Sequence, residues 1–285
     1  MKTIEHLSLV LLIFLLISYN QVRGQNSNFA FFYNLDFIKD TTDLESRQKE
    51  LMVLWSGPEM SMFQSYNGYL RDSVLNHYLN IAKDNDNNKR PAGSTDINKM
   101  LQEMNQFPVP LFSYKVVKHK NKGEINNFRK IFRTDYMYQE SMGGITWTIE
   151  KEAKEILGYQ CNLATCTYGG RKFMAWFAPE LPLDDGPYIF QGLPGLIFEL
   201  YDSECNFHFT LIGLERKSIN IENYLPDNYL KVNKLKFFSI EDEYKKNVFS
   251  QMSEADAQRV SPSDALRVQE RVKSENNRLE LIIDN

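Results

Sequence analysis

The sequence predicts one α+β domain dominated by an antiparallel sheet, and three observations carry that prediction. From residue 28 onward, short apolar runs with a period of two are separated by Gly-, Asn- and Asp-rich turns, which favours consecutive antiparallel strands over a parallel sheet. Leu70, Val74, Tyr78 and Ile81 instead recur at helical spacing, which marks a helical excursion over about residues 69–106. From about residue 241 the chain becomes charged and helix-forming, a helical tail to residue 285.

In chain order, residues 7–19 form an apolar run of thirteen behind Lys2, followed by Asn20-Gln21-Val22-Arg23-Gly24. Thirteen is short for a membrane span and suits a signal peptide, with Val22 and Gly24 placed for cleavage before Gln25. No cysteine lies near that point, which argues against a lipid anchor there. Residues 1–24 are therefore expected to be a signal peptide, 25–240 a β-rich domain, and 241–285 the tail. Strands are expected at 28–37, 50–56, 59–66, 114–120, 124–133, 136–140, 146–150, 157–168, 172–177, 196–201 and 207–216, with Asn121-Lys122-Gly123 as a hairpin turn. Ser261-Pro262-Ser263-Asp264 offers a helix start. Leu266, Val268, Val272, Leu279 and Ile282 give the helix expected over 262–281 only a patchy apolar stripe.

The chain has 33 basic and 37 acidic residues; losing Lys2, Arg23 and Glu5 leaves 31 and 36, a net of −5. That balance argues against nucleic acid or an anionic membrane surface as partner. The basic run 115–122 reads as the solvated face of a hairpin. No later segment reaches spanning length, so the mature chain is expected to have no transmembrane segment. The cysteines are Cys161, Cys166 and Cys205. Cys161 and Cys166 differ by an odd number and would face opposite sides of one strand, so a bridge from either to Cys205 and three unbridged thiols both stand. Four scattered histidines and a lone Cys-x4-Cys give no zinc pattern; neither a metal nor a cofactor is expected.

Residues 178–195 hold Pro179, Pro182, Pro187 and Pro194 with Gly186, Gly192 and Gly195. Prolines fix φ and restrict the preceding residue, so this long loop should be stiff, and Tyr188, Ile189 and Phe190 argue against disorder. It closes on Gly192-Leu193-Pro194-Gly195-Leu196-Ile197 and runs into a strand with Leu196, Phe198 and Leu200 on one face and Ile197, Glu199 and Tyr201 on the other. Two readings stand. The loop covers one end of a curved sheet with its aromatics as core, or it borders a ligand pocket with Arg171, Trp176, Glu180, Tyr188 and Glu199 as binding residues and Asp184 and Asp185 among its polar contacts. Asp184 and Asp185 read as solvated loop acids, and His208 as a structural strand histidine. No phosphate loop, nucleophile elbow or His-Glu-x-x-His occurs, so no catalytic residue is assigned.

The hexapeptide, with Trp147-Thr148-Ile149, Ile156-Leu157-Gly158-Tyr159-Gln160-Cys161, Ala164-Thr165, Gly170-Arg171, Ala175-Trp176-Phe177, Glu180-Leu181-Pro182 and Gly186-Pro187-Tyr188-Ile189-Phe190, resembles the GLPGLI family, exported proteins of Bacteroidota with no established activity. The chain is also similar to the bowl-shaped N-terminal domain of a secreted peptide-N-glycosidase and to half-barrel lipoprotein carriers. The sheet is accordingly expected to curve into a bowl or half-barrel. The family resemblance implies a periplasmic or extracellular protein and an outer-membrane TonB-dependent receptor or another envelope protein as partner. The function expected is non-enzymatic ligand or partner binding. The alternatives are a hydrolase of glycans or peptides, and a carrier of an apolar molecule lined by Trp147, Trp176 and Phe198.

Overall fold

The computed structural model describes residues 26–87, 94–251 and 260–281, with side chains described outside 84–95 and 250–259. The expected signal peptide lies outside the described residues. Twelve strands form one open sheet: β1 Phe29–Asp40, β2 Asp43–Ser56, β3 Met60–Ser65, β4 Lys115–His119, β5 Glu124–Ile131, β6 Thr134–Ser141, β7 Thr148–Ile156, β8 Tyr159–Tyr168, β9 Arg171–Ala178, β10 Leu196–Asp202, β11 Phe207–Glu215 and β12 Leu230–Lys231. The strand order is β12-β6-β5-β4-β3-β2-β1-β11-β10-β9-β8-β7. Two meanders, β1 to β6 and β7 to β11, thus meet where β1 pairs antiparallel with β11. Every pairing is antiparallel except that of β12 with β6.

The sheet is a cup, and its connectivity requires that. β6 and β7 stand second and last in the order, about 48 Å apart in a flat sheet at about 4.8 Å per strand. Only residues 142–147 join them, a stretch that reaches about 25 Å fully extended. The two ends must therefore curl toward one another. Side chains confirm it: Phe63 of β3 and Phe209 of β11, three strands apart, have ring centroids 5.9 Å apart. Tyr168 of β8 donates a 2.8 Å hydrogen bond to Glu140 of β6.

The concave face carries the main core. Tyr33, Leu35, Leu54, Phe63, Val116, Phe173, Ala175, Leu200 and Phe209 meet there, all buried. The described residues include four α-helices: α1 Tyr66–Asn87, α2 Ser94–Met104, α3 Lys234–Lys246 and α4 Pro262–Lys273. α1 covers the outer face of β1 to β4, where Trp55, Met62, Val117 and Tyr69 form a second cluster. α3 starts at an Asn233 cap and packs Phe237 and Phe238 on Tyr136 and Tyr138 of β6.

Five features differ from the sequence reading. β2 begins at Asp43 instead of residue 50, and β7 runs to Ile156 instead of ending at 150. The first helix of the tail begins at Lys234, ahead of residue 241, because Asn233 supplies its cap. α4 ends at Lys273, after which residues 275–281 fold back on the cup instead of continuing the helix. In β10 a bulge between Ile197 and Glu199 breaks the alternation. Ile197 therefore shares the side of Phe177, while Glu199 lies opposite Trp176.

Candidate functional site

The proline-rich loop, residues 179–195, lies inside the cup. Tight turns close its backbone: Leu183 N–H donates to Leu181 O at 2.7 Å, Asp185 to Leu183 at 2.8 Å and Gly195 to Leu193 at 2.8 Å. Ile197 N–H donates to Asp185 O at 3.1 Å, which ties the loop to the start of β10. Tyr188, Ile189, Phe190 and Leu193 are each at most 2% exposed. Phe190 packs against Phe173 at 4.6 Å between ring centroids and against Trp147 at 6.1 Å. The concave face is filled by the chain's own aromatics.

Asp185 anchors that loop. Its carboxylate is 1% exposed and receives Ser56 at 2.7 Å, Ser61 at 3.2 Å, Lys118 at 3.0 Å and Lys120 at 2.8 Å. Burial alone would raise its pKa; Lys118, Lys120 and the Ser56 hydroxyl outweigh that and hold it well below the carboxylate range. Lys118, fully buried, also donates to Gly186 O at 2.7 Å and Phe190 O at 3.0 Å, so all three ammonium hydrogens have acceptors. This corrects two expectations: the run 115–122 is not a solvated face, and Asp185 is not a solvated loop acid. Even-numbered β4 residues face the cup, which brings Lys118 beneath the loop.

A second polar cluster closes the cup's rim. Arg171 is 5% exposed; its guanidinium donates to Asp202 at 3.0 Å, Asn277 at 2.6 Å and the Arg278 carbonyl at 2.8 and 3.0 Å. Tyr188 donates to Glu280 at 2.8 Å. Glu280, 2% exposed, pairs with Lys234 at 2.5 Å, and Lys234 also pairs with Glu140 at 2.6 Å. Burial and the neighbouring Glu140 push the Glu280 carboxyl up, against the pull of Lys234. Arg129 stacks 3.5 Å over the Tyr114 ring and pairs with Glu241 at 2.6 Å.

Trp176 and Glu199 form a cross-strand pair on the outer face. Glu199 contacts His208 Nε2 at 2.7 Å and the Lys154 ammonium, and the His208 hydrogen bond leads the lowering of its pKa. Lys154 Nζ sits 4.4 Å over the Trp176 ring. Glu180 is exposed and accepts from Gln160 N–H at 3.4 Å. The five sequence-derived binding candidates are thus split: Arg171 and Tyr188 within the cup, Trp176 and Glu199 on its outer face, and Glu180 in the exposed turn after β9. Trp147, Trp176 and Phe198 do not share a cavity either: Trp147 donates to Gln191 O at 2.7 Å, and Phe198 is buried against Tyr159.

The three cysteines are free thiols. Burial pushes Cys161 up to about 11 and Cys166 up to about 12, which leaves both poor nucleophiles at neutral pH; Cys205 is exposed in the β10–β11 turn. Among the described residues no group of three His, Cys, Asp or Glu side chains is placed to hold a metal ion, and no helix is long and apolar enough to cross a membrane. A groove of about 200 Å³ runs between α1 and α2, lined by Leu75, Leu79, Ile97 and Met100.

Sequence reasoning missed Lys118, Lys234 and Glu280. The signal for Lys118 was its even parity with Val116 in an apolar strand. Glu280 gave one weaker signal, its place beside Leu279 in a charged tail.

Residues 168–199 match the model of a family described as "Protein of unknown function (Porph_ging)". The matched stretch runs from the end of β8 through the loop to Glu199. No curated protein matches the chain. Two solved structures of PNGF-II, in space groups C2 and P21, each superpose with a TM-score of 0.49 at 10% identity. They cover 75% of this chain, which spans about a third of theirs, 32% and 33%.

Proposed function

We propose that the chain is an exported envelope protein that binds a partner without catalysis, and that its family-matched segment serves architecture. The observation that carries this is the internal commitment of that segment's polar groups. Asp185 is bound by two lysines and two serines, Arg171 by Asp202 and the C-terminal segment, and Tyr188 by Glu280. Interaction then falls to the outer surface. The hexapeptide behind the GLPGLI resemblance lies inside the matched residues 168–199, and the apolar stretch 7–19 supports export. An outer-membrane TonB-dependent receptor or another envelope protein is the partner this reading favours. A carrier role has less support, because the cup is filled.

Cross-linking of the tagged chain in envelope fractions tests the reading, with one consistent partner expected. Recovery of none would contradict it. Glycan or peptide hydrolysis abolished by Glu199→Gln would replace it with the hydrolase, since Glu199 and His208 lie 2.7 Å apart on the outer face.

A further inference from the structure

Residues 276–281 hold to the cup as a bound peptide does. They belong to no helix or strand, and successive side chains enter separate receptor positions. Asn276 bonds Asp40 at 2.6 Å and accepts from Thr41 N–H at 2.8 Å, at the tip of the β1–β2 hairpin. Asn277 accepts from Arg171 at 2.6 Å and donates to Ile38 O at 2.7 Å. Arg278 pairs outward with Glu241 at 2.8 Å and with Asp242. Leu279, 1% exposed, enters the concave core. Glu280 seats on Lys234 and Tyr188. The backbone is held by Asn277 N–H to Lys39 O at 3.2 Å, Leu281 N–H to Gly169 O at 2.7 Å, and Arg171 to the Arg278 carbonyl. Main-chain bonds at both ends with alternate side-chain pockets between are the grammar of extended-peptide recognition. The receptor is shaped to fit: a Cβ on Gly169 would stand 2.9 Å from the Cα, Cβ and Cγ of Glu280.

The element that delivers this strap is lightly held. α4 packs chiefly against α3 and the short turn Val248–Gln251; within it only Val272 is buried, and Leu266 is 61% exposed. Strap and α4 can therefore leave one cup without unpairing a strand. The segment whose fit is demonstrated is the chain's own, so an identical segment from another copy fits by construction.

We propose that this groove is a peptide-docking site reading Asn277-Arg278-Leu279-Glu280, and that a second copy of the chain fills it by exchanging straps. The exchange is reciprocal, giving a closed two-fold dimer. The tethered strap competes at an effective concentration in the millimolar range, so the unmodified chain is monomeric when dilute and the dimer grows with concentration.

Two full-length variants test this. Arg171→Ala weakens the groove and keeps the strap; Leu279→Ala/Glu280→Ala weakens the strap and keeps the groove. Carrying different tags and mixed at about 100 μM, below that effective concentration, they should co-elute as a heterodimer held by its one intact strap–groove pair, at least tenfold more abundant than either variant's own dimer. Mixed variants that fold and stay monomeric overturn the proposal. Hydrogen exchange on the unmodified chain decides the matter if either variant fails to fold. The Asn277 and Leu281 amides should then exchange through an opening that leaves β1 and β9 protected; exchange only together with those strands overturns it.

Discussion

Gly192 and Gly195 sit three residues apart in one turn and are required for different reasons. Gly192 has φ +92°, and a Cβ there would meet Trp147 only at an ordinary 3.6 Å; its constraint is conformational. At Gly195 a Cβ would lie 2.3 Å from the Ala178 carbonyl oxygen, a steric clash with backbone that has nowhere to go. Gly192→Ala should cost about 1–2 kcal/mol, and Gly195→Ala about 2–4 kcal/mol, both read from chemical unfolding. Equal, small effects would show that the turn is not built this way. The hexapeptide places both glycines in one turn. It could not rank them, because the clash at Gly195 comes from a strand end seventeen residues upstream.

At the scale of elements, most strand positions could be read from period and composition, whereas the first half of β2, most of β7 and the polar floor beneath the loop could not. Lys115, Lys118 and Lys120 look alike in a basic run; only the pairing of β4 with β3 places Lys118 and Ser61 together under Asp185. The β10 bulge was equally invisible, since its extra residue is set by the loop bonding Ile197 and leaves the composition of the strand unchanged. Asp185→Asn should cost about 3–5 kcal/mol by leaving Lys118 buried without a countercharge. It also tests the sign of a pH dependence. The folded-state pKa of Asp185 is lowered, so its contribution is complete above the ordinary carboxylate pKa and is lost as pH falls through the folded value. The wild type should therefore lose its advantage over Asp185→Asn in acid, in melting temperature against pH. A gap that widened in acid would contradict the ion-pair account.

For the whole molecule, a short β6–β7 connection closes the cup, the loop fills it, and the C-terminal strap seals its rim. An α+β, mainly antiparallel sheet was predictable, whereas the seal was not: a patchy stripe over 262–281 is what a helix followed by a docking segment produces. Glu280 gives the seal a pH dependence opposite to that of Asp185. Its folded-state pKa is raised, so its contribution is complete below its ordinary value and declines as pH rises through the folded one. Glu280→Gln, which mimics the neutral acid, should gain stability relative to wild type as pH climbs from acid toward neutrality. A constant difference across that range would remove Glu280 as the titrating group.

Native-state hydrogen exchange of the loop amides tests the central claim, that the proline-rich loop is the core of the cup and does not act as a mobile lid over a site. The hydrogen-bonded amides of Leu183, Asp185, Phe190, Gly195 and Ile197 should open with the same free energy as those of β1 and β9, in one global unfolding event. Loop amides that open several kcal/mol below the strands while the sheet stays protected would contradict the account.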